Sequence, residues 1–140
     1  MLDQELAANP LLQSDKELRM FCLIVKGDFD GESDTPAMRQ DWTEVASLAQ
    51  ALGNTRWQYR AQGQLGFADF YDGDLPGAQR NVAQALIGTT KTGDIGGQLF
   101  YLSMWMMLIA FCGGFGVNSE ALGANAGRVL CRVKAAGANP

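Results

Sequence analysis

The sequence predicts an all-α chain built as three antiparallel helical hairpins in a row, and three observations carry that prediction. Glycine falls at positions 53, 73, 93 and 113, a constant step of twenty residues. Asn54, Asp74 and Asp94 follow the first three. A glycine just past a helix takes the left-handed backbone that other residues resist. The Asn or Asp then offers a side-chain oxygen to the free amides of the next helix, so each pair reads as a stop followed by a start. Between these marks apolar residues recur at three and four positions, the helical period, and not at two. Hairpin starts at Asp15, Thr55 and Ile95 lie forty residues apart, the signature of a three-unit array, about the minimum that can bury its own faces.

The elements follow in order. Residues 1–13 read as a poorly ordered tail, without the basic region and apolar core of a signal peptide. Ser14 with Glu17 forms a capping box for a first helix over 15–26. Thr35 then opens a second over 36–52, with Pro36 at the first helical position, where its missing N–H costs nothing. On that helix Met38, Trp42, Val45, Leu48 or Ala49, and Leu52 share a face. Trp57, Ala61, Leu65 and Ala68 do the same on a third helix (55–72), and Leu75, Ala78, Val82, Ala85 and Leu86 on a fourth (75–91). A fifth spans 95–112 and a sixth, opened by Asn118 or Ser119, spans 119–134; residues 135–140 read as a second tail. Short links make consecutive helices antiparallel, giving one domain of units 15–54, 55–94 and 95–134.

The fifth helix lies in a stretch, Ile95 to Ser119, that holds no charged residue. Its apolar run falls short of the roughly 18 residues a membrane span needs and has no basic flank to orient it. A helix apolar on every side also suits the middle of a soluble stack, which is the reading adopted.

Apolar residues make up 47 % and charged residues 19 % of the 140, a globular composition long enough to bury a core without metals or disulfides. Histidine is absent, which removes the commonest general base and the serine and cysteine triads. Cys22, Cys112 and Cys131 lie far apart among apolar neighbours, as inert thiols in a reducing cytoplasm would. The net charge of −4 is uneven: residues 1–44 hold ten acids against four bases. No stripe of Lys or Arg forms, so nucleic acid is not an expected partner.

Three stretches invite a chemical reading and fail it. GTTKTGDI, residues 88–95, approaches a phosphate loop, but Asp94 and Ile95 stand where Lys and a hydroxyl are required. DFDGESD, residues 28–34, alternates acids like a calcium loop, yet Ser33 and Arg39 occupy the positions that need Gly and a bidentate Glu. Asp69 and Asp72 share a helix face, but no histidine or converging acid joins them for hydrolysis. No cofactor, metal or catalytic residue is therefore expected.

The middle unit, QLGFADFYDGDLPGAQRNVAQAL over residues 64–86, resembles a tetratricopeptide repeat (TPR). The resemblance rests on Leu65 and Gly66 in its first helix, Gly73 and Asp74 at the turn, and Ala78, Val82 and Ala85 in its second. It departs from the repeat pattern at Gln62, Asp69 and Thr90. The first unit matches by Lys26, Gly27 and Asp28, with Gly27 and Asp28 read as its turn; the third matches by register, with Trp105 and Met106 in the Leu-Gly slots. The resemblance implies a right-handed superhelix, with a HEAT-like α-α stack as the alternative. It also implies a concave groove lined by the first helix of each hairpin. Arg60, Gly63, Phe67, Phe70 and Tyr71 would face it, and a shift of forty adds Phe100, Ser103, Met107, Ala110 and Phe111. Such a groove suits a peptide or protein partner. The expected function is a non-catalytic interaction scaffold, the alternative a sensory segment of a larger bacterial signalling protein. Met104, Met106 and Met107 on an all-apolar helix further predict a homodimer or a longer array.

Overall fold

The computed structural model describes residues 2–31 and 33–112, except for the side chains of Leu2, Asp3, Phe111 and Cys112. The sixth helix read over 119–134, the glycine-rich turn before it and Cys131 lie outside the described residues. Among those residues the chain is all helical, with no strand. Its elements are α1 (Leu2–Ala8), α2 (Pro10–Ser14), α3 (Lys16–Asp30), α4 (Thr35–Ala51), α5 (Thr55–Tyr71), α6 (Leu75–Lys91) and α7 (Ile95–Cys112). From α3 onward each helix packs on its sequence neighbour, so the helices form a consecutive stack.

The punctuation holds at all three repeats of the stop-start pair. Gly53, Gly73 and Gly93 have φ of 66°, 81° and 69°, a conformation that strains any residue with a Cβ. Asn54 caps α5 by accepting from Trp57 N, and Asp74 caps α6 by accepting from Gly77 N. Asp94 does the same for α7 through Gly97 N.

The first unit obeys the same grammar at shifted positions. Asp15, not Ser14, caps α3, its Oδ1 accepting from the amides of Glu17 and Leu18. Ser14 instead closes α2 by donating to Leu11 O. Asp34, not Thr35, caps α4 by accepting from Ala37 N. Gly27 and Asp28, read as a turn, lie inside α3, which continues to Asp30.

The reason is tertiary. Gly27 is the twelfth residue of α3 and lies under the indole of Trp42, the eighth residue of α4, and a Cβ on Gly27 would come within 2.8 Å of Trp42 Nε1. Gly66 and Val82 occupy the same twelfth and eighth positions in α5 and α6, and a Cβ on Gly66 would come within 2.8 Å of Val82 Cγ2. Gly27 thus corresponds to Gly66 and lets its hairpin close, whereas Gly73 is the stop.

The segment read as a tail over residues 1–13 holds α1 and nearly all of α2, which ends at Ser14. Leu6 and Leu12 are buried in the first core cluster with Met20, Leu23, Trp42, Val45 and Ala61. Gln13 Nε2 and Arg19 Nη1 both donate to Leu6 O, tying the segment to α3. A second cluster joins Val82, Ala85 and Leu86 of α6 to Tyr101, Leu102, Trp105 and Leu108 of α7. Phe67 packs against both clusters. Leu99, Phe100, Met106 and Ile109 of α7 stay exposed, and among the described residues no helix is long and apolar enough to cross a membrane.

Candidate functional site

In the consecutive stack α3, α5 and α7 alternate with α4 and α6. A groove of about 570 Å³ runs across them. Its walls are Asp28 of α3, Trp57, Arg60, Gln64, Phe67 and Tyr71 of α5, and Phe100 of α7, with Met38 and Trp42 of α4 also reaching it.

An aromatic run crosses the groove from one unit to the next. The ring centroids of Phe67 and Phe100 are 5.6 Å apart, and those of Phe67 and Tyr71 are 6.4 Å apart. Tyr71 is 54 % and Phe100 46 % exposed, a large apolar area left open to solvent on a folded chain. Tyr101 is the rigid backing of this wall. Its hydroxyl donates to Arg60 O at 2.7 Å, its ring packs edge-on to Phe100, and burial pushes its pKa up. Gly63 makes room for it, since a Cβ there would overlap the Tyr101 ring.

The charged groups of the groove are unequally satisfied. Arg60 donates through Nε and Nη2 to the two carboxylate oxygens of Asp94 at 2.6 and 2.8 Å, and its guanidinium lies 5.2 Å from the Trp57 ring centroid. Asp94 is 1 % exposed at its side chain and also pairs with Arg56 at 3.1 Å. The hydrogen bond from Arg60 holds its pKa down at about 2. Asp28 differs. Among the described residues its carboxylate has no hydrogen bond or ion pair, and burial raises its pKa more than the charge of Arg60 lowers it.

Of the expected groove residues, Arg60, Phe67, Tyr71 and Phe100 line the groove. Phe70 and Met107 pack against the second core cluster instead. Gly63 is buried beneath Tyr101. Ser103 is exposed and donates to Leu99 O within its own helix, Ala110 is exposed outside the groove lining, and the side chain of Phe111 lies outside the described residues. Asp28, Trp57, Gln64 and Tyr101 were missed. Asp28 had a findable signal: it is the thirteenth residue of α3, as Phe67 is of α5.

The stretches that suggested other chemistry have structural employment. In residues 88–95 the Thr89 and Thr90 hydroxyls donate to backbone carbonyls of α6, Gly93 ends the helix and Asp94 caps the next. Asp69 accepts from Arg39 at 2.9 Å and from Asn81 at 2.6 Å, and Asp72 accepts from Arg39 at 2.6 Å. The two acids thus strap α4 to α5. Among the described residues no three His, Cys, Asp or Glu side chains converge as a metal site.

Compared with known proteins, the chain matches no family model, no curated protein and no solved structure significantly.

Proposed function

We propose that the chain is a TPR-like, non-catalytic scaffold that binds a peptide or a protein segment in the groove formed by α3, α5 and α7. The observation that carries this reading is the exposed aromatic run Phe67, Phe100, Tyr71 set in a trough of about 570 Å³. Aromatic side chains lose little conformational entropy when covered and contribute large apolar area, which is why they dominate binding surfaces. The equivalent placement of Gly27 with Gly66, and of Asp28 with Phe67, supports a repeat architecture in which successive units present the same helix positions to one trough. A scaffold role also fits the acids: Asp69, Asp72 and Asp94 are all engaged by arginines. Among the described residues Cys22 is a free thiol, which fits a cytoplasmic setting.

The test is a pull-down comparing the wild-type chain with Tyr71→Glu and Phe100→Glu. Both residues are substantially exposed, so these variants keep the core, whereas Phe67 joins both core clusters and its substitution would confound binding with unfolding. A specific partner recovered by the wild type and lost by both variants, with unchanged thermal melting, is the expected result. Equal recovery by all three would reduce the groove to a packing surface.

A further inference from the structure

The groove is polarised along its length. On its α5 wall the cation Arg60 is engaged by the buried carboxylate of Asp94. Near its α3 wall, outside the lining, Lys26 is shared by Asp30 at 2.7 Å and Asp41 at 2.8 Å. Among the described residues Asp28, which lines the groove, makes no ion pair or hydrogen bond and feels Arg60 only as a more distant charge. It occupies the helix position that Phe67 fills one unit later, so an acid and an aromatic ring are presented to one trough at equivalent heights. The Asp28 side chain is exposed at the rim of the trough, so its carboxylate is open to a cation brought in by a ligand.

We propose, resting on the groove reading above, that the partner is a peptide segment carrying a Lys or Arg beside aromatic or large aliphatic residues. The cation pairs with Asp28, and the apolar side chains lie on Phe67, Phe100 and Tyr71. Charge complementarity argues for this occupant. Arg60 offers a poor site for an acidic ligand because Asp94 already accepts from it in bidentate fashion, while Asp28 has its whole accepting capacity free. The length of the trough argues for a peptide over a small amine, since the lining runs from Asp28 on α3 to Phe100 on α7.

The experiment is selection of a displayed random twelve-residue peptide library on the full chain, with Asp28→Asn and Tyr71→Glu chains selected in parallel. Wild-type selection is expected to enrich Lys or Arg within a few residues of Phe, Trp or Leu, and Asp28→Asn to lose the basic preference while keeping the apolar one. A selected peptide resynthesised with norleucine for its Lys should weaken about tenfold on the wild type and little on Asp28→Asn. Enrichment without basic residues, or an equal norleucine effect on both chains, overturns the proposal while leaving the groove reading intact. Basic enrichment that survives both substitutions reveals only general attraction to an acidic chain and also overturns it. No enrichment over Tyr71→Glu removes the groove reading and this proposal together.

Discussion

Asp94 combines three tasks in one side chain: it caps α7 through Gly97 N, accepts from Arg60 in bidentate fashion, and pairs with Arg56. Buried carboxylates so engaged ionise more readily than in the unfolded chain. Its folded pKa of about 2 lies below the ordinary 3.8, so its contribution is complete above about pH 4 and is lost as pH falls through 2. That contribution is about 2 kcal/mol. Asp94→Ala also strips the cap and leaves Arg60 without its bidentate partner, so a loss of about 3 kcal/mol is expected by urea denaturation at pH 7. The difference between wild type and variant should shrink between pH 4 and pH 2; a difference constant across that window would deny the ion pair its role. Asp28 has the opposite sign. Its raised pKa means that ionisation at neutral pH opposes folding slightly, so Asp28→Asn should leave the melting temperature unchanged or higher.

At the scale of elements, glycine does two unlike jobs. Gly73 has φ of 81° and open space where a Cβ would stand, so its constraint is conformational. Gly73→Ala should cost about 1 kcal/mol and Gly73→Asn less, since Asn tolerates the left-handed region. Gly63 is helical, and its constraint is the ring of Tyr101. Gly63→Ala gains about 1 kcal/mol of helix propensity, yet overpacking against a ring fixed by its hydrogen bond should leave a net loss of about 2 kcal/mol in urea denaturation. A Gly63→Ala chain more stable than wild type would show that Tyr101 gives way. The same duality decides what could be read from the sequence. Helices α4 to α7 fall within about a residue of their expected bounds, because a positive-φ glycine and a capping side chain act locally. Gly27 looks identical to a stop in sequence but serves a contact with Trp42 fifteen residues on, and local grammar cannot separate the two. Helices α1 and α2 have 7 and 5 residues, too few for periodicity to register, and hold through Leu6 and Leu12. In the groove, a shift of forty takes Arg60 to Phe100; carried back from Phe67 it would reach Gly27 rather than Asp28, because α3 starts thirty-nine residues before α5. The pairing of Arg60 with Asp94 across 34 residues had no sequence signal.

A stack of this kind is stabilised by neighbours alone, so its two ends are where apolar surface goes uncovered. Among the described residues α3 and α7, the first and last long helices, both show it. On α3, Val25 is 67 % and Phe29 79 % exposed, and on α7, Met106 is 63 % and Ile109 40 % exposed. These residues lie away from the aromatic groove lining, so self-association need not compete with a groove ligand. Covering such side chains with a second copy removes apolar area from water at about 25 cal/mol per Å², and the expected behaviour is concentration-dependent dimer formation. Light scattering on wild type, on Val25→Glu with Phe29→Glu, and on Met106→Glu with Ile109→Glu identifies the end that is used. Because all four sites are exposed, the substitutions should change the association constant and leave the melting temperature of the monomer nearly unaltered. The α7 pair is expected to abolish the dimer, given the uncharged stretch around it, and the α3 pair to leave it in place. A wild-type chain that stays monomeric at the highest attainable concentration would mean that the exposed α7 side chains are tolerated singly, as scattered surface apolar residues are on many folded chains.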